Sequence, residues 1–250
     1  MNGKTYKKKK RKTLKLFKIL LPVLAIICIL VIAILCLRQD KPSEQKEETQ
    51  ENASVQVEAM TETSINLGSG LRITDVGKYT GIYMEDGSDE LVSGIMMITV
   101  KNEGEDAIQY AEITMPVGDK EAFFSLSTLT PGSTMILLEQ NRMEYTAGEY
   151  TTALAENVVI FQEPLSLCED KLKIQMLDGA LNVSNISGED MDGDITIYYK
   201  NSAADASYGG ITYRVRIEDG LKKDEIRQVM AGHLSESGST VMFVTCGDNE

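Results

Sequence analysis

The sequence predicts an all-β protein: two tandem antiparallel β-sandwiches behind one N-terminal transmembrane helix. Three observations carry that prediction. A charge-free apolar run extends from Ile19 to Leu37 behind a lysine block; apolar and polar residues alternate at strand spacing through residues 64–250; and three short strings recur in the same order about a hundred residues apart.

The N-terminal element comes first. The 19 residues from Ile19 to Leu37 span roughly 28 Å as a helix at ~1.5 Å per residue, matched to the ~30 Å hydrocarbon core of a bilayer. A cleaved secretory signal is a poorer fit, because its apolar region is ~7–15 residues long and ends in an A-x-A-like site. Here the run ends Ala33-Ile34-Leu35-Cys36-Leu37-Arg38. Large Ile and Leu residues before Cys28 and Cys36 also disfavour lipid attachment there. The two cysteines share nearly one helix face, as plain membrane-helix residues or as a helix-dimer contact. Residues 19–37 are therefore expected to meet membrane lipid as an uncleaved signal anchor, with Pro22 near its start. Nine basic and no acidic residues precede Ile19, so positive-inside bias keeps tail 1–18 in the cytoplasm and sends the C-terminal bulk across. Lys7, Lys8, Lys9, Lys10, Arg11 and Lys12 set that topology and are also placed to meet anionic head groups.

Charge sharpens once the anchor is set aside. Residues 1–40 hold ten Lys/Arg and one Asp, leaving 15 basic against 37 acidic residues in 41–250, a net of −22. A body so acidic repels nucleic acid and anionic polymers, and nucleic-acid binding is excluded as its main role. Residues 38–63 are rich in Glu, Gln, Ser and Thr and poor in apolar residues, so they read as a flexible acidic linker that its own charge keeps extended.

The strands follow. In Ile195-Thr196-Ile197-Tyr198-Tyr199 and Ile211-Thr212-Tyr213-Arg214-Val215-Arg216-Ile217, apolar or aromatic positions alternate with polar ones, the pattern of half-buried strands. Asn-Glu-Gly, Asp-Gly, Ser-Gly and Pro-Gly clusters punctuate these runs. The recurring strings are GIMMITVKN from Gly94 against GDITIYYKN from Gly193, YAEIT from Tyr110 against YGGIT from Tyr208, and GSTMIL from Gly132 against GSTVMF from Gly238. Offsets of 99, 98 and 106 require one longer insertion, placed at residues 139–157 and read as a long loop. With a boundary at Glu163-Pro164, the chain divides into sandwiches at 64–162 and 163–250, each of immunoglobulin-like size. Residues 224–231 fit a strand or a short helix, and their position favours a strand.

The Gly-x-hydrophobic strand ending in Lys-Asn, at Lys101-Asn102 and again at Lys200-Asn201, resembles the tandem FxLYD-like β-sandwich modules of membrane-anchored Gram-positive extracytoplasmic proteins. The resemblance covers about 60 residues in each half. It implies an immunoglobulin-like fold without a catalytic site.

Candidate sites are few. Cys168 and Cys246 fall at the first and last strands expected in the second half, outside the cytoplasm, where disulfides persist. A bond would close a loop of about 79 residues and contribute roughly 4–5 kcal/mol in the chain-entropy picture; two buried thiols are the alternative. Asp190, Asp192 and Asp194 supply the hard oxygens a calcium ion takes, although the run lacks EF-hand spacing and equally suits a solvated turn. Tyr198, Tyr199, Tyr208 and Tyr213 form a candidate interaction face. His233 is the only histidine and Trp is absent; no G-x-S-x-G elbow or phosphate loop occurs.

The reading that results is a non-enzymatic, single-pass surface protein of the cell membrane. Its extracytoplasmic pair of sandwiches is expected to bind a protein partner or serve envelope assembly, without a cofactor. The alternatives are a calcium- or small-ligand-binding module and a cell-envelope enzyme of unrecognised type.

Overall fold

The computed structural model describes residues 56–246 except residue 204. The expected basic tail, the membrane anchor and most of the linker lie outside the described residues. Among the described residues there is no helix, and so none long and apolar enough to cross a membrane.

The described residues are all-β. The strands are β1 (Gln56–Gly68), β2 (Leu71–Ile82), β3 (Leu91–Asn102), β4 (Ile108–Val117), β5 (Lys120–Leu129), β6 (Thr134–Leu138), β7 (Leu154–Ile160), β8 (Leu172–Leu177), β9 (Ala180–Asn185), β10 (Ile195–Ala203), β11 (Ala206–Tyr208), β12 (Tyr213–Ile217), β13 (Ile226–Met230) and β14 (Ser239–Cys246). They form three sheets. An eight-stranded sheet runs β1-β2-β3-β6-β11-β10-β12, with β14 also on β10, and the smaller sheets run β13-β9-β8 and β5-β4-β7. Residues 224–231 contain β13, a strand. The long loop is residues 139–153, after which β7 begins.

In the first half, Ile73, Val76, Met96, Ile98 and Val100 share one core with Ile108, Ile113, Met115, Phe124 and Leu126 of the β5-β4-β7 sheet. In the second, Leu181 and Val183 meet Ile195, Ile197, Tyr199, Ile217 and Val244. Each such side chain contributes about 1.5–3 kcal/mol by leaving water. The run Ile95-Met96-Met97-Ile98 is buried without alternation, because β3 is central and covered on both faces. A second cluster, Tyr79, Tyr83, Ile95, Met97, Leu138 and Tyr208, lies on its other side.

Two boundaries differ from the sequence reading. β1 begins at Gln56, inside the segment expected to be linker. Its ladder with β2 runs from Gln56↔Thr80 to Gly68↔Leu71; main-chain bonds need no apolar side chains, so a polar edge strand left no periodic signal. The repeat also has a different register. The order β2-β3-β6 with β5-β4-β7 recurs as β8-β9-β13 with β12-β10-β14, every pairing antiparallel. The recurring strings instead set β3 against β10 and β6 against β14, each one strand late. Gly-led alternating strings describe any half-buried strand after a turn, so they could not fix the register.

Two buried asparagines fix it. Asn102 ends β3 at a core-facing position; its Nδ2 donates to the carbonyls of Asp106 (2.8 Å) and Leu129 (3.1 Å), and its Oδ1 accepts from Gly104 N (2.9 Å). Asn185 ends β9 likewise. Its Nδ2 donates to Glu189 O (2.7 Å), Leu221 O (3.1 Å) and Lys222 O (3.1 Å), and its Oδ1 accepts from Ser187 N (2.9 Å). Each side chain ties the loop after its strand to the chain leaving the far sheet.

Removing either one strands buried carbonyls, each worth about 1–3 kcal/mol. Asn102→Ala and Asn185→Ala are expected to lower unfolding free energy by about 2–4 kcal/mol each in urea titrations. Asn201→Ala, at the position the strings equate with Asn102, costs less than about 1 kcal/mol. Equal losses at Asn102 and Asn201 would undo this correspondence.

Candidate binding groove at the seam of the two halves

The halves join through a short strand of the second that enters the first. β11 pairs parallel with β6, Ala206↔Thr134 to Tyr208↔Ile136, and Gly209 N continues the ladder to Ile136 O at 2.7 Å. Tyr208 is buried edge-on against Tyr79, with ring centroids 6.3 Å apart. The next position suits glycine, since a Cβ on Gly209 would stand 2.0 Å from Cδ2 of the buried Leu137, whose side chain would have to shift. Gly210 has φ +70 and lies against Glu85, where a Cβ would meet the carboxylate at 2.0 Å and Cα at 2.7 Å.

Charged groups are buried behind this crossing. Glu85 Oε1 accepts from Leu138 N at 2.7 Å, while its buried Oε2 has no hydrogen-bond partner among the described residues. Lys200, fully buried, donates to Ser127 Oγ (3.0 Å) and Ile211 O (3.1 Å). Loss of hydration pushes the Glu85 carboxyl up to about 7, against the Leu138 N–H and then the Lys200 charge, which favour the anion. The same loss pulls the Lys200 amine down to about 7, with Glu85 opposing. Ser127 Oγ donates to Gly210 O and meets Thr212 Oγ1 at 3.1 Å, which bonds Thr128 Oγ1 at 3.1 Å. Thr128 is buried in the left-handed region at φ +55, uncommon for a β-branched residue and held by this crossing.

In front of these hydroxyls lies an open groove of about 520 Å³. Its floor is Ser127, Thr128, Gly210 and Thr212, its aromatic wall Phe161, Tyr198 and Phe243, and its rim Gln109 and Arg214. Tyr198 stacks on Phe243 (4.1 Å, 10°) and Phe161 meets Phe243 edge-on (5.4 Å, 70°). The register explains the wall. Ile195, Ile197 and Tyr199 face the core, so Tyr198 and Lys200 project from the other side of β10, with Phe243 and Arg214 directly across from Tyr198 on the neighbouring strands.

The four tyrosines therefore do not share one face. Tyr198 lines the groove and Tyr208 is buried in the seam. Tyr199 is a core residue whose hydroxyl donates to Gly232 O. Tyr213 stacks between Tyr199 (5.5 Å) and His233 (4.9 Å). His233, in the loop after β13, places Nδ1 3.1 Å from Asp89 of the first half and is a second tie across the seam.

The three aspartates are held by cations of the chain itself rather than converging. Asp190 accepts from Lys223 N (2.8 Å) and pairs with Lys222 (3.1 Å); Asp192 stands 3.8 Å from the same ammonium. Asp194 pairs with Arg216 and accepts from Asp219 N at 3.2 Å. Among the described residues no group of three His, Cys, Asp or Glu side chains is placed to hold a metal ion. Cys168 and Cys246 do come together, as free thiols with Sγ atoms 3.3 Å apart. Burial, then the Cys168 hydrogen bond, push the Cys246 thiol up to about 12.

The sequence reading missed Phe161, Phe243, Arg214 and the Glu85–Lys200 pair. Lys200 follows Tyr199 in an apolar strand, the one available sign of a buried amine; the rest come from segments that meet only in the fold. No protein-family model, no curated protein and no solved structure matches this chain.

The buried pair makes stability pH-dependent. The Glu85 contribution is intact below about pH 4.5 and lost as pH rises through about 7. The Lys200 contribution is intact above about pH 10.5 and lost as pH falls through about 7. Glu85→Gln keeps the acceptor for Leu138 N, and is expected to exceed the parent by on the order of 1–3 kcal/mol at pH 7.5 and to match it near pH 4.5 in urea titrations. A gap that is the same at both pH values refutes this account.

The thiols give a second expectation. Intact-mass analysis of oxidised protein should find two hydrogens fewer than after reduction, and reduction should lower the melting midpoint by roughly 10 °C. Four alkylatable thiols in the oxidised protein, those of Cys28 and Cys36 among them, would show that the contact does not close.

Proposed function

We propose that this chain is a single-pass anchored surface protein whose ectodomain works by binding a protein partner, with the seam groove as its contact site. The N-terminus is cytoplasmic, and the β-rich body, read as two immunoglobulin-like sandwiches, lies outside. The observation that carries the reading is the groove itself. The half-buried rings of Tyr198 and Phe161, the buried Phe243 between them and the exposed Arg214 are gathered on the face that β10, β12 and β14 turn away from their core, and an aromatic–arginine cluster at a groove suits recognition. The seam behind it is braced by β11, by His233–Asp89 and by the Glu85–Lys200 cluster, so the groove is held open in one shape and binding costs little ordering. The charge and apolar run of the N-terminus support the location, and the acidic linker supplies reach from the bilayer.

Site-specific photo-crosslinking in native membranes tests this. A benzophenone residue at Gln109 should give a discrete protein adduct that disappears with Tyr198→Ala, while the same residue at Lys173, exposed on β8, gives none. Identical adducts from both positions, or none from Gln109, would end the assignment of the groove.

A further inference from the structure

We infer that the groove receives a peptide carboxylate flanked by an apolar ring, with Arg214 taking the carboxylate; this rests on the groove being the contact site. Charge is the first argument. Residues 41–250 carry a net −22, yet none of the groove-lining residues is acidic. The Arg214 side chain is exposed and makes no hydrogen bond or ion pair among the described residues. Its strand neighbour Arg216, two residues along and on the same face, is paired with Asp194. The chain neutralises one arginine of this face and leaves the other bare at the groove. The acidic body repels extended polyanions, so a compact carboxylate is what fits, and an arginine fork binds it with two parallel bonds.

The rings specify its neighbour. Tyr198 is the direct cross-strand partner of Arg214, so a carboxylate on the guanidinium holds the group attached to it beside the Tyr198–Phe243 stack. Sugar is the poorer occupant. Phe243 is 8% exposed, enclosed by Tyr198 on its face and Phe161 at its edge, and offers no open platform. The floor hydroxyls are already engaged with Lys200, Gly210 and one another, whereas a saccharide needs many free partners. A peptide side chain packs against ring edges and needs few.

Saturation-transfer NMR on the full-length chain in lipid nanodiscs tests the inference, with N-acetylphenylalanine, its neutral amide and glucuronate as probes and empty nanodiscs as blank. The acid is expected to bind at about 1–10 mM and the amide about tenfold more weakly. Arg214→Gln should reduce the acid to the level of the amide, and Arg216→Gln should change it less than about twofold. Equal binding of acid and amide, indifference to Arg214→Gln, absence of binding, or glucuronate binding as well as the acid each overturn the inference. If the probes fail while the Gln109 adduct persists, the ligand class is wrong and the site stands; if both fail, the site falls with it.

Discussion

The parallel pairing of β11 with β6 is the constraint on which the rest of the structure depends. It is the one parallel ladder among the described strands, and parallel pairing demands a long crossover. Here the crossover is residues 139–205, which include β7 of the first half and β8, β9 and β10 of the second. Three residues in register turn two separate sheets into one of eight strands. They seat Tyr208 against Tyr79 and press Gly209 and Gly210 under Leu137 and Glu85. The outer face of β10 then lies against the end of β5, and the groove is the space that remains. A slip of one residue would turn Tyr208 to the opposite face and away from Tyr79.

Burying Glu85 and Lys200 at this crossing does not strengthen it in simple terms. Charges taken into a dry site repay their lost hydration only when every donor and acceptor is met, and among the described residues Glu85 Oε2 is not. Both groups are accordingly pulled toward neutrality. The favourable terms are the β11 ladder, the Tyr79–Tyr208 cluster and the hydroxyl chain through Ser127, Thr128 and Thr212. The polar groups nevertheless punish misdocking: any other placement of the second half would leave Lys200 without Ser127.

The fold class was legible because alternation at period two survives wherever one face meets a core, as in Ile195-Thr196-Ile197. The exceptions each have a physical cause. β1 reaches the core only at its end, through Ile65 and Leu67, and the earlier part that was read as linker is paired to β2 through the main chain. β3 is buried on both faces and so lost its alternation. The register of the repeat was misread from glycine-led strings, although Ile98-x-Val100-x-Asn102 and Leu181-x-Val183-x-Asn185 placed a polar residue where the period demands a core side chain. Of the candidate sites, the cysteines converge and the tyrosines disperse, because alternation along β10 sends Tyr198 and Tyr199 to opposite faces and β11 carries Tyr208 into the first half. The groove could not be read from sequence at all. Gln109, Phe161, Arg214 and Phe243 belong to four segments with no common motif.

The two halves differ most usefully in one connection. Between β4 and β5 the chain turns within Val117–Lys120. Between β10 and β12, the corresponding strands, it takes residues 204–212 and places β11 there. That lengthening closes the β6 edge of the first half, while β13 among the described residues pairs with β9 alone, and its Ile226 and Met230 are 69% and 78% exposed. An open edge invites unwanted strands, and β13 limits this by being five residues long and by placing the Glu225–Arg227 pair beside it. The core pattern of a repeated β unit is conservative, since every strand must keep its period. A loop is free to grow, and here one grown loop supplies the seam, the rigidity and a groove that neither half contains alone.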